Sequence, residues 1–411
     1  TLVPLDPFYR IFNGNGEQFD YWRSQQQTEE EIKKYSPGDV DGYRKFIKGV
    51  TDIFHWFHPF TERSFPTLSS FLRIFPHVIK TGTWRSMYAY AAHFIKHDLI
   101  RKVASFHPLL VGGNPFDTPS IYGLIIQFEK QWGIHYCMGG TAAIVKALCT
   151  LFEDCGGTIQ LNAEVKQIII ENKKAKGIEL KDGSVIAADE VICNGDVAFA
   201  YKNYIPHQQL PAPLNLWLSN LQYSNSLVVI YFGTKKKYND CKLAHHNLIL
   251  GNKYSRLMRD IFKRKVLPNE LGLYLHMPSK TDSTVAPEGC ESFYVLSLVP
   301  NLDGKINWSE LMDEYVDKVL GFLEENYLPD LKANMIVKHA VTPLHFHETL
   351  NSYKGAAFSI KPSMMQSGYF RPQVKSKWFS NLYFVGAGVH PGAGVPAVMA
   401  SGKIAAAAIE Q

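Results

Sequence analysis

The 411-residue chain predicts a mixed α/β (α+β) fold, on three observations. First, NLYFVGAGVHPGAGVPAVMASGKIAAAAI, at the C-terminus, reads as an apolar strand, a glycine-rich turn and an alanine-rich helix. Second, YSNSLVVIYFG, LGLYLHM and ESFYVLSLV alternate or run apolar, as the strands of a sheet do. Third, NWSELMDEYVDKVLGFLEENYL repeats its apolar residues at helical spacing, with Asn307 or Ser309 as N-cap.

From the start, VPLDPFYRIF and NGNGEQFDYW read as strands joined by an Asn-Gly turn within residues 1–36. Residues 37–130 turn helical, with Asp39 or Asp41 able to cap the first helix. Here FHWFHPF, SFLRIFPHVIK and WRSMYAYAAHFIKHDLIRK mix aromatic residues with Arg, Lys and His. That pattern suits first a helical subdomain packed on the rest of the protein, and second an amphipathic surface lying on a bilayer. In residues 131–206, GGTAAIVKALCTLFEDCGG is a helix between glycine pairs, with Ile144, Leu148, Leu151 and Phe152 on one face. TIQLNAEVKQIIIE and KKAKGIELKDGSVIAADEVICN follow as strands turning at Asp182-Gly183. Residues 207–360 form the mixed sheet region, and 361–411 the closing strand, turn and helix.

Composition narrows the function. Hydrophobic residues at 46% and charged residues at 20% describe a globular protein with a real core and exclude disorder. The net charge of +5 is dispersed along the chain, so nucleic acid is not an expected partner. The six cysteines form no CxxC pair and read as reduced thiols of a cytosolic protein. No secretory signal is visible after Thr1, and the apolar run 382–409 contains His390, Lys403, two prolines and many glycines, so no membrane span is predicted. GxSxG and P-loop patterns are absent. His345/His347 and His55/His58 lack i, i+4 spacing and a carboxylate partner, so no metal site is predicted. Asp117, in NPFDTPS, reads as a turn or capping residue.

The terminal segment carries the chemistry. Gly386, Gly388, Gly392 and Gly394 let backbone approach a flat or phosphorylated ligand, and Pro396 opens a helix whose free N–H groups favour negative charge. Gly386 and Gly388 fit a GxG pattern, but Pro391 stands at the third glycine position, so a plain strand-to-helix turn fits the pattern as well.

This segment resembles the closing flavin motif of the bacterial and fungal phytoene desaturases. GGTAAIVKALCTLFEDCGGTIQLNAEVKQI, SFHPLLVGGNPFDTPSIYGLI, TPLHFHETLNSYKGAAFSIKP, VPLDPFYRIF and LYLHMPSKTDSTVAPEGCESFYVLSLVP fit the same family, collinearly over the whole chain. The resemblance implies an amine oxidase-like flavoprotein fold. In it, residues 1–36 and 207–360 are the substrate domain, 37–130 a membrane-facing lid, and 131–206 with 361–411 the FAD-binding part. It implies FAD held by Gly386, Ala387, Gly388, Gly392, Val395 and Pro396, with Val165 at the adenine end and Asn194 to Asp196 close to the dinucleotide. It implies desaturation of phytoene or a related C40 or C30 polyene, with oxygen or quinone as electron acceptor, at the inner face of the cell membrane. A diapophytoene desaturase, a retinol saturase-like oxidoreductase and a flavin-free lipid-binding remnant are the alternatives. The family's N-terminal GxGxxG unit has no counterpart after Thr1, and the chain is therefore read as truncated there. Cys137 and Met138 stand before Gly139 where relatives often have proline, Val389 stands where Thr is common, and Ser69 and Ser70 stand where some relatives carry an acid. No catalytic acid carries over. The candidates for contact with substrate are His390 and Arg73, for which a structural hydrogen bond and a solvated side chain stay open.

Overall fold

The computed structural model describes residues 1–64 and 68–410, except the side chains of residues 68, 70 and 71. Its largest sheet has seven strands in the order Met335–Val341, Ser226–Thr234, Glu291–Val299, Leu273–His276, His246–Leu250, Tyr9–Asn13 and Gln18–Tyr21. All neighbours are antiparallel except His246–Leu250 and Tyr9–Asn13, which run parallel.

Strict alternation in these strands separates two layers. In Glu291–Val299, Phe293, Val295 and Val299 point to one face, where they meet Tyr315, Val316, Val319, Leu320 and Leu323 of the helix Trp308–Asn326. Tyr294, Leu296 and Leu298 point to the other face and line a cavity. The helix begins at Asn307, one of the two caps the sequence offers.

Beyond the cavity lies a helical layer: Gln25–Tyr35, Val40–Phe57, Leu68–Thr81, Met87–Phe94, Asp98–Ser105 and Leu124–Trp132. Phe46, Val50 and Ile53 bury the inner stripe of the second helix against Met87, Tyr90 and Ile126. Asp39 does not cap that helix with its side chain; its carboxylate instead accepts from Lys96 N and His97 N at 2.8 Å, tying the helix start to the linker between Met87–Phe94 and Asp98–Ser105.

A third core joins residues from about 168 to 221 with the C-terminal segment. Leu382–Phe384 pairs in parallel with Val191–Cys193, and Val165–Glu171, Lys174–Leu180 and Val185–Ala187 form a separate antiparallel sheet. Strand Leu2–Pro4 pairs with His135–Cys137, not with the seven-stranded sheet. The helix Thr141–Asp154 forms as expected and ends at Gly156 and Gly157, but its apolar face is open: Val145, Leu148, Leu151 and Phe152 are exposed. The C-terminal helix Val395–Ile409 buries only the side bearing Ser401, Ile404 and Ala405. No described helix is long and apolar enough to cross a membrane.

Candidate active site

The glycine-rich turn is built by the strand Leu382–Phe384, whose three residues are buried, running out into Val385–Gly394. Gly386 has φ +98°, Gly392 +142° and Gly394 +105°, conformations that exclude an ordinary side chain. A Cβ on Gly386 would lie 2.6 Å from Asn194 Oδ1, and one on Gly388 would lie 3.0 Å from Ser359 Oγ. The Gly386 N–H donates to Ser401 Oγ at 2.8 Å, which fixes the turn to the helix that follows it.

Asn194 and Asp196 therefore flank this turn. Asn194 is exposed beside Gly386. Asp196 caps the helix Val197–Asn203 through Ala198 N and Phe199 N, and accepts from Ser359 Oγ at 2.6 Å. Burial raises its carboxyl pKa against the opposing effect of these donors. Gly386, Gly388 and Gly392 are buried, Ala387 is half-buried, and Val395 and Pro396 are exposed at the helix start. Val165 opens a strand of the separate antiparallel sheet.

A residue that sequence reasoning did not single out holds the turn from behind. Arg371 is 2% exposed and donates to four carbonyls: Ala387 at 2.6 Å, Val389 at 3.0 Å, and Gln366 and Ile360 at 3.3 Å. Among the described residues it has no carboxylate in ion-pair reach. Burial lowers its pKa, yet a guanidinium stays charged in a protein. A fixed positive charge thus sits directly under the turn.

His390 is buried in the same turn. Its Nε2 lies 2.7 Å from Phe60 O, which pins the turn to the end of the helical layer. Burial pushes its pKa down to about 4, so the ring is neutral at pH 7. Arg73 lies elsewhere, exposed on the helix Leu68–Thr81. Ser69 is exposed on the same helix, and the side chain of Ser70 falls outside the described residues. Asp117 pairs with Lys361 at 2.7 Å. His58 stacks on Phe54, and His345 and His347 sit on the short helix Pro343–Glu348.

The cavity has a volume of about 310 Å³. Its wall is apolar through Leu109, Leu110, Leu227, Leu296, Leu298 and Phe358, with Tyr9, His246, Tyr274 and Tyr294 at polar positions. Chain neighbours of two lining residues pack on the glycine turn: Val111, next to Leu110, lies 3.8 Å from where a Gly394 Cβ would stand, and Ser359, next to Phe358, lies 3.0 Å from a Gly388 Cβ. Gly112 also packs on Phe358, with its would-be Cβ at 2.6 Å. The arrangement therefore places, near an apolar chamber, a backbone turn with a helix N-terminus and a buried cation. Those features fit a flat, electron-accepting ring that becomes anionic when reduced.

Comparison with known proteins agrees. The family model for flavin-containing amine oxidoreductases matches residues 85–410. A lycopene-forming phytoene desaturase of Pseudescherichia vulneris is 39% identical, over 98% of this chain and 82% of that protein. A neurosporene-forming phytoene desaturase of Rhodobacter capsulatus is 37% identical, over 99% of this chain and 78% of that one. Among solved structures, a redesigned putrescine oxidase superposes with a TM-score of 0.64, over 100% of this chain and 82% of that chain; at 10% identity it shares the fold alone.

Proposed function

Because the chain belongs to the phytoene desaturase family of flavin-containing amine oxidoreductases and is an oxidoreductase of CH–CH groups, we propose that it uses FAD to introduce C=C bonds into phytoene, towards neurosporene and lycopene. The observation that carries this reading is the apolar cavity whose lining residues Leu110 and Phe358 are chain neighbours of Val111 and Ser359, which pack on the glycine turn. A bound flavin would supply the two-electron oxidation that takes two hydrogens from a saturated C–C bond beside the polyene. The protein's part is positioning. The leucine-lined chamber excludes water and admits a hydrocarbon, and reacting atoms must come within roughly 3–3.5 Å. Gly386, Ala387, Gly388 and Gly392 would hold the ring through backbone, Val395 and Pro396 start the helix that favours negative charge, and Asn194 and Asp196 would stand near the dinucleotide. Val165 is the proposed adenine contact. Arg371 holds the turn's carbonyls inward.

The substrate's physical chemistry implies where it is met. A C40 hydrocarbon gains about 30 kcal/mol on leaving water, at about 0.8 kcal/mol per carbon. It therefore resides in lipid, and the enzyme collects it by peripheral contact with the inner face of the cell membrane. Support comes from Leu72, Phe75 and Ile79 on the helix Leu68–Thr81 and from Trp84 just beyond it, at 57%, 46%, 60% and 58% exposure, with Arg73, Lys80 and Arg85 interspersed. Such aromatic and basic mixing suits an interface. Arg73 is thereby assigned to lipid headgroups. Oxygen or a quinone would serve as the terminal electron acceptor. The test is to mix the purified, FAD-supplemented chain with phytoene-loaded liposomes and resolve the extracted carotenoids. Coloured products with added conjugation are expected. Unchanged phytoene with a flavin-loaded, membrane-bound protein overturns the reading.

A further inference from the structure

Three histidines that the flavin reading does not use meet at the ends of two inner strands of the seven-stranded sheet. His246 and His276 are direct cross-strand partners in the antiparallel pair His246–Leu250 and Leu273–His276. His245 precedes the first of these strands, and its backbone carbonyl accepts from Met277 N at 3.0 Å. Its ring folds back over the pair: ring centroids lie 4.6 Å from His276 and 4.5 Å from His246. One nitrogen from each ring falls within 4.8 Å of the other two.

We propose that His245, His246 and His276 form a binding site for a late first-row divalent cation, with Zn²⁺ the favoured occupant. Imidazole nitrogens suit this class of ion, and the site holds no hard oxygen cage of the kind Mg²⁺ or Ca²⁺ needs. Tetrahedral Zn–N bonds of about 2.0–2.1 Å place ligand nitrogens roughly 3.3 Å apart. The closest pair here, His245 Nε2 and His276 Nε2 at 2.7 Å, has to open slightly, and the widest separation, 4.8 Å, has to close. Rotation of the rings within the cluster covers both changes.

The surrounding shell sets the tautomers that such a site requires. His245 Nδ1 lies 2.7 Å from Thr281 Oγ1, and His246 Nδ1 lies 2.6 Å from Tyr274 Oη. The Tyr274 hydroxyl can rotate to leave its oxygen as the acceptor for His246. Both histidines can therefore donate from Nδ1 and present Nε2, the arrangement that orients metal-bound imidazoles. His276 Nδ1 is buried without a partner in the described structure, and the two facing Nε2 atoms can hold only one proton between them. With the cation bound, the proton between the two Nε2 atoms shifts to His276 Nδ1, which frees both Nε2 atoms to coordinate, and no proton need leave the cluster. Tyr136 packs its ring 4.9 Å from His245 on the outside of the cluster. The fourth coordination position falls to water or to a tyrosine hydroxyl at the polar end of the cavity, which His246 itself lines.

The test uses the whole chain, stripped with a chelator and titrated with Co²⁺ or Zn²⁺. One tightly held ion per chain is expected, with the intense visible absorption of tetrahedral Co²⁺. His276→Ala and the pair His245→Ala with His246→Ala should each weaken binding at least 100-fold. Thr281→Val, which leaves all three ligands in place, should weaken it about 10- to 100-fold and guards against a ligand variant that fails to fold. No stoichiometric binding, the pale spectrum of surface-bound octahedral Co²⁺, or equal affinity in the Thr281 and His276 variants would each overturn the site. None of these readouts depends on desaturation, so the inference stands or falls apart from the substrate assignment.

Discussion

Replacing Arg371 with Met tests the buried charge under the glycine turn most sharply. The side chain makes four hydrogen bonds to carbonyls, two of them at or below 3.0 Å. At about 1.5 kcal/mol for each charge-assisted bond the gross loss is about 6 kcal/mol. Against this, the variant no longer has to keep a guanidinium out of water without a carboxylate, which offsets several kcal/mol. The net expectation is a destabilisation of about 2–3 kcal/mol, read as a lower urea midpoint with an unchanged slope. Arg371→Lys keeps the charge but cannot reproduce the planar fork, and should lie between Met and the parent. Flavin retention should fall in the same order, because Ala387 and Val389 lose the partner that holds the turn. A Met variant within about 0.5 kcal/mol of the parent, with flavin bound as before, would refute this account; that is the ordinary scatter of a surface substitution.

Other expectations follow from the same geometry. His390 has its pKa lowered by burial to about 4, so the unfolded chain binds its proton more readily. The contribution, about 3 kcal/mol, is present above roughly pH 6.5 and is lost as pH falls towards 4. His390→Gln should flatten that part of the acid-unfolding profile. Gly386→Ala forces a side chain onto φ +98° and into Asn194, and should cost about 1–3 kcal/mol together with most of the bound flavin, measured as flavin per protein after gel filtration. The pair Phe75→Ser and Ile79→Ser removes two apolar contacts from the exposed face; at about 1.5 kcal/mol each, liposome binding should fall roughly 100-fold in a sedimentation assay while the fold is kept.

Much of the architecture is legible in the sequence because its signals are local. The alternation of ESFYVLSLV fixes which side of strand Glu291–Val299 faces the helix and which faces the cavity. The glycine spacing of the last segment likewise announces the strand, turn and helix that build the cradle. What stays hidden depends on long-range pairing. Nothing in VPLDPFYRIF reveals that Leu2–Pro4 leaves the main sheet for His135–Cys137, or that Tyr9–Asn13 runs parallel to His246–Leu250. The histidine cluster joins residues whose proximity is created only by the register His246↔His276, so no short spacing rule finds it. Arg371 sits among turns with no periodic signal. The helix Thr141–Asp154 shows the opposite failure: its apolar stripe is plain in sequence, but that face is exposed, because period tells which residues share a side and not what covers it.

The central claim is that the chamber lined by Leu109, Leu110 and Phe358 delivers a polyene to the flavin cradle. The most direct measurement is anaerobic mixing of the flavin-loaded chain with phytoene in liposomes, following the visible absorption of oxidised flavin. Bleaching of that absorption, in step with the appearance of a more conjugated carotenoid, is the predicted result. Flavin that stays oxidised with phytoene, yet is reduced at once by a chemical reductant, would contradict it.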